Sequence, residues 1–188
     1  MESGNIKTKI NLYTYSDYIT WPDTPRYELI DGIAYMMSSP SELHQSISVE
    51  ICRQLANFLH GKQCKVYHAP FDVRLNAENK DDTVLQPDIF VLCDKNKIQN
   101  GKCVVGPPDF IIEIMSPSTA QTDRIRKFNL YLQAGVREYW IISPEEKYIS
   151  THVLLNGHYT ASPYSNGETV PVSVLDGCSI DFNEVFTV

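Results

Sequence analysis

Short apolar runs broken by polar turns fill the chain, and the period of each run predicts its element. Tyr27-Glu28-Leu29-Ile30 and Ile33-Ala34-Tyr35-Met36-Met37 flank Asp31-Gly32. An Asp-Gly connection suits a type I′ turn, which needs two positive φ values, so the pair reads as a hairpin. From Ser41 to His60 the apolar residues Ile47, Ile51, Leu55, Phe58 and Leu59 recur at helical spacing, and Gly61 supplies a stop. Strands are expected at Lys65–Tyr67, Phe71–Leu75, Val84–Cys93 and Phe110–Met115. A second helix is expected from Thr119 to Ala134, with Ser118 and Gln121 at capping-box spacing and Gly135 just past its end. Glu138–Ile142 is another apolar strand, and Tyr148–Leu155 with His158–Ala161 forms a closing hairpin around Asn156-Gly157.

The resulting order is hairpin, helix, strands, helix, strand, hairpin. Phe110–Met115 and Tyr139–Ile142 are apolar on both faces, the mark of strands covered on both sides. These features predict a mixed α/β fold: a central sheet flanked by helices, with β hairpins at both ends. The strand–helix–strand unit from Phe110 to Ile142 is expected to make a right-handed parallel crossover. With no repeat, linker or low-complexity tract, residues 27–188 read as one globular unit. Residues 1–26 lead into it, with a short helix at Tyr15–Ile19 stopped by Pro22 and Pro25.

Composition narrows the setting. No apolar run approaches the roughly 20 residues that span a bilayer, and the N-terminal stretch lacks the apolar core of a secretory signal. The five cysteines, odd in number and without C-x-x-C spacing, are expected as reduced thiols of a cytoplasmic protein. A formal net charge of -7 argues against non-specific polyanion binding, since phosphate contacts supply most of that affinity. Two local clusters, Arg124, Arg126, Lys127 and Arg137, and Lys95, Lys97 and Lys102, are either basic patches or ordinary solvated charges.

Two carboxylates interrupt strand-like apolar runs: Asp88 in VLQPDIFV and Glu113 in FIIEIM. A buried ionised carboxylate must be paired, hydrogen-bonded or cation-bound, and two in adjacent strands repel unless a cation satisfies both. A hard divalent ion does so naturally, because Mg²⁺ is commonly held by one or two carboxylates plus water and substrate phosphate. The alternative places each acid at a sheet edge or strand end, in contact with solvent. Lys127 lies on the following helix, four residues after Asp123, where it either makes a surface ion pair or brings a positive charge to the acids.

The arrangement resembles the PD-(D/E)XK nuclease superfamily, with the signature carried by Pro87-Asp88 and then Glu113-Ile114-Met115. Over nearly the whole chain, the stretches YELIDGIAYMMSSPSELHQ, QPDIFVLCD and PPDFIIEIMSPSTAQTDRIRKFNLYLQAGVREYWIISPEEK resemble the "putative restriction endonuclease" family of bacterial proteins. The resemblance implies a restriction-endonuclease-like fold with Mg²⁺ (or Mn²⁺) held by Asp88, Glu113 and the Ile114 backbone carbonyl. It implies Lys127 as the catalytic cation, replacing the lysine that the superfamily carries where this chain has Met115. Glu28 and His44 fall in matching motifs as further catalytic candidates, and Asp123 as a residue that positions Lys127. His44, on the inward face of its helix, is alternatively a hydrogen-bonded core histidine.

Two functional readings follow. One is a Mg²⁺-dependent endonuclease acting on DNA, or alternatively on RNA, as a homodimer that presents one site to each strand, with no membrane partner. The other is an inactive nuclease-fold module that binds DNA or protein. His60, His68, His152 and His158 show no metal-ligand spacing, and no glycine-rich phosphate loop or nucleophile elbow is present.

Overall fold

A computed structural model of the chain describes residues 11–116 and 122–187, with the side chains of residues 122–124 outside the description. The Ser118/Gln121 capping pair and the side chains of Asp123 and Arg124 therefore lie outside the described residues. Helix α1 (Tyr15–Tyr18) precedes strands β1 (Tyr27–Ile30) and β2 (Ile33–Met36). Asp31 and Gly32 have φ of 49° and 78° between the two strands, as the turn chemistry demands. Helix α2 (Glu42–Leu59) is capped by the Ser41 side chain, which accepts the His44 N–H. Strands β3 (Lys65–His68), β4 (Asp72–Arg74), β5 (Val84–Leu85) and β6 (Ile89–Leu92) follow. After a 3₁₀ turn at Lys95–Lys97 come β7 (Ile98–Gln99), β8 (Cys103–Val105), β9 (Phe110–Ile114) and α3 (Thr122–Ala134). The chain then forms β10 (Glu138–Ser143), β11 (Tyr148–Leu155), β12 (His158–Ser165), β13 (Thr169–Pro171), β14 (Ser179–Asp181) and α4 (Phe182–Val185).

The central sheet has the order β12-β11-β10-β9-β6-β3, in which β9 and β10 are parallel and the other pairs antiparallel. Period-2 alternation sorts its side chains between two cores. Ile89, Val91, Phe110, Ile112, Trp140 and Ile142 face α2 and α4. Phe90, Leu92, Ile111, Tyr139 and Ile141 face Tyr131 of α3 and the apolar residues of a second six-stranded sheet, β2-β1-β5-β4-β8-β7. The fold is the expected mixed α/β sheet flanked by helices with hairpins at both ends, and the second sheet adds to the cover on one face.

Two expectations are corrected. Val84–Cys93 is not one strand: it splits into β5 and β6, which belong to different sheets, around Gln86-Pro87-Asp88. Pro87 offers no N–H to a ladder, so the chain crosses between sheets there. The cysteines are not all free thiols either, because Cys64 and Cys93 form a disulfide while Cys52, Cys103 and Cys178 are free. Lys65 pairs with Leu92, so the next residues outward on β3 and β6 face each other, a neighbourhood that sequence spacing does not reveal. Among the described residues, no helix is long and apolar enough to cross a membrane.

Candidate active site

The β6–β9 register pairs Ile89 with Ile112 and Phe90 with Ile111. One step further, Asp88 stands opposite Glu113, so both carboxylates lie on one face of the sheet as cross-strand neighbours. This is the face of Phe90 and Ile111, covered by α3 and the second sheet. Each covering element contributes one charged residue. Lys127 comes from α3, and Glu28 comes from β1, two residues before the buried Ile30 on the same strand face. His44 reaches the same point from the first turn of α2. A cleft of about 430 Å³ is lined by Glu28, His44, Asp88, Glu113, Ile114 and Lys127 together, so all six sequence candidates converge.

Lys127 is the hub. Its Nζ donates to Glu28 Oε1 at 2.9 Å and to Glu113 Oε1 at 3.1 Å. Glu113 Oε1 also accepts the Tyr131 hydroxyl at 2.6 Å, and Glu28 Oε1 accepts the Gln86 backbone N–H at 3.0 Å. Asp88 Oδ2 accepts the Ile114 N–H at 2.7 Å and lies 3.2 Å from His44 Nε2. Ile114 thus holds Asp88 through its N–H, and its backbone also meets the His44 ring. Lysine 127 is buried and is not part of an exposed basic patch. Of the other predicted basic residues, Arg126 lies over the Tyr35 ring, Arg137 pairs with Asp109, and Lys97 donates to the Pro107 carbonyl.

The electrostatics follow from burying three acids with one ammonium. Burial, with Asp88 and Glu28 nearby, outweighs the opposing effects of Lys127 and Tyr131 and pushes the Glu113 carboxyl up to about 7. Burial works against the charge on Lys127, but Glu113 and Glu28 overcome it and hold the ammonium well above the ordinary lysine range. Burial also disfavours a charged His44, yet the Asp88 hydrogen bond and charge raise its pKa on balance. Burial and the nearby carboxylates push the Tyr131 hydroxyl far up, so it remains a donor.

Among the described residues, no three His, Cys, Asp or Glu side chains are grouped to cage an ion. The donor set nevertheless suits a hard divalent cation, because three acids face one ammonium and Asp88 and Glu113 are adjacent. Mg²⁺ characteristically takes one or two carboxylates and leaves other positions to water and substrate phosphate. Tyr131 and Gln86 were not among the sequence candidates. Tyr131 had a usable signal, since it follows Lys127 by four residues on one helix face. Gln86 acts through its backbone and had none.

Comparison with known proteins bears on the family and the fold. The chain is 29% identical over 130 residues to "Uncharacterized protein slr1290" of Synechocystis sp., covering 68% of this chain and 66% of that protein. It is 26% identical over 121 residues to "Uncharacterized protein sll1609" of the same organism, covering 63% and 67%. The chain thus spans about two thirds of the length of these relatives. In fold it matches the crystal structure of "a putative nuclease belonging to DUF820" from Anabaena variabilis, with a TM-score of 0.76 at 20% identity, covering 93% of this chain and 98% of that one. The model of the Uma2 family, described as "Putative restriction endonuclease", matches residues 15–183, and the chain belongs to that family.

Proposed function

We propose that this protein is a divalent-metal-dependent endonuclease that hydrolyses phosphodiester bonds in DNA. The observation that carries the proposal is the placement of Asp88 opposite Glu113 with Lys127 3.1 Å from Glu113, in one cleft. Restriction-endonuclease-like proteins generally use divalent metals, and here Asp88, Glu113 and the Ile114 carbonyl would hold Mg²⁺ or Mn²⁺. When bound, the ion supplies Lewis-acid polarisation of the phosphoryl group and an acidified water.

The chain's own residues do the rest. Lys127, kept charged by Glu113 and Glu28, stabilises negative charge developing on the phosphate. Its position on α3 supplies an ammonium where Met115 cannot. Tyr131 and Lys127 both hold Glu113 Oε1, which fixes the carboxylate plane. His44 and the Ile114 N–H hold Asp88, and Glu28 anchors Lys127 from the opposite sheet. The proposal places the reaction in the cytoplasm and, for cleavage of both strands, in a homodimer.

The test incubates purified protein with supercoiled and linear DNA, and with RNA, in Mg²⁺ or Mn²⁺, beside Glu113→Gln and Lys127→Ala. Metal-dependent cleavage lost in both variants supports the reading. Equal cleavage by wild type and Glu113→Gln points to a contaminant, and no cleavage by any of them favours the binding module.

A further inference from the structure

A second cleft adjoins the one that holds the acids. Arg26, Pro70 and Gln86 line both, and the second has a volume of about 760 Å³. Its walls carry the half-buried rings of Tyr15, Tyr18, Trp21 and Tyr27. Tyr18–Trp21 and Trp21–Tyr27 have centroids 5.5 Å apart at 58° and 74°, so the rings meet tilted or edge-on. Asp72 also lines this cleft and accepts from the Tyr18 hydroxyl at 3.0 Å and from Gln86 Nε2 at 2.9 Å. This arrangement uses the donor end of the Gln86 amide and leaves Oε1, on a residue only 8% exposed, without a hydrogen-bond partner among the described residues. Burying an acceptor unpaired is costly, so a ligand that supplies a donor is favoured there. The Arg26 guanidinium, common to both clefts, makes no hydrogen bond or ion pair among the described residues.

These features select one class of ligand. The second cleft carries Asp72 together with Lys102 and Arg26, so its charge alone does not select an anion, whereas a nucleobase offers a π face to the rings and N–H donors to Asp72 and Gln86. A cation at the border of the two clefts, without an ion pair among the described residues, suits a backbone phosphate. Resting on the nuclease reading above, we propose that the aromatic cleft receives an unpaired base of a single-stranded or locally opened nucleic acid, and that Arg26 holds the phosphate linking this base to the acidic site. The substrate class is thereby single-stranded nucleic acid, or duplex from which one base has been unstacked.

Binding without cleavage tests this. Fluorescence anisotropy in EDTA follows a labelled single-stranded oligodeoxynucleotide and the matching duplex. The single strand is expected to bind more tightly. Trp21→Ala should weaken it by about 5- to 150-fold, the worth of one base stack, while Trp21→Phe keeps most of the affinity. The chain's other tryptophan, Trp140, is fully buried, so quenching of tryptophan emission by the single strand, lost in Trp21→Phe, reports contact at Trp21. Arg26→Gln should weaken binding and lower the salt slope by about one. An abasic site scanned through the oligonucleotide needs no protein variant and should cost affinity at one position.

Equal binding of single strand and duplex, Trp21→Ala without effect, or no binding at all overturns the inference. Trp21-dependent binding without metal-dependent cleavage sustains it and removes the nuclease reading. Metal-dependent cleavage with Trp21-independent binding does the reverse.

Discussion

Replacing Lys127 with Met keeps much of the side chain's length and apolar stem and removes only the ammonium. In the native protein this group donates to Glu28 Oε1 at 2.9 Å and Glu113 Oε1 at 3.1 Å, with side-chain exposures of 8% and 14% for the two acids. Breaking a buried pair from one side typically costs about 3–5 kcal/mol, because the remaining charge is stranded. Glu113 can relieve part of this cost by taking a proton. Its carboxyl already lies at about 7, against an ordinary 4.5, and Lys127 is the principal group pulling it down. A folded-state pKa above the unfolded value means that protonation favours the fold. That contribution is complete below about 4.5 and is lost as pH rises through about 7, and without Lys127 the upper end of this window moves higher. The expected loss is therefore about 3 kcal/mol at pH 8 and less than half of that at pH 5.5. For a chain of 188 residues, the loss at pH 8 lowers Tm by roughly 6–12 °C. Thermal unfolding followed by circular dichroism at the two pH values measures it. A variant that melts within 2 °C of wild type at pH 8, or that loses more at pH 5.5, would refute the buried-hub account.

Tyr131→Phe deletes the 2.6 Å hydrogen bond to Glu113; stability should fall by about 1.5–3 kcal/mol, and the pH at which metal-dependent cleavage sets in should rise, as read from a pH–rate profile. Mg²⁺ should raise the Tm of wild type and leave Glu113→Gln unmoved, since a ligand stabilises only the state that binds it. Because protons compete for Glu113 up to about pH 7, the wild-type gain should be larger at pH 8 than at pH 6, and calorimetry showing the opposite order would exclude Glu113 as a ligand. Thiol titration of unfolded protein should find three free cysteines before reduction and five after, the difference being the Cys64–Cys93 pair. Five before reduction would restore the all-thiol expectation.

What the sequence determined by itself is local. The Asp31-Gly32 and Asn156-Gly157 turns, with positive φ at all four residues, and the helix from Glu42 to Leu59 follow from backbone preference and a period of 3.6, which need only near neighbours. The candidate acids were legible for the same reason, since a carboxylate inside a run such as Phe110–Ile114 conflicts with its neighbours. Only the tertiary structure decided how the pieces meet. The break of the run at Pro87 depends on which sheet each half joins, and the Cys64–Cys93 bond depends on the register of two strands. Lys127 and Glu28 are 99 positions apart and share a hydrogen bond only because α3 and β1 cover the same sheet face. Side-chain periodicity says which way a residue points, whereas the partner it meets is set by strand order and register. This difference is why the sequence named the catalytic candidates and the fold alone supplied the charge balance among them.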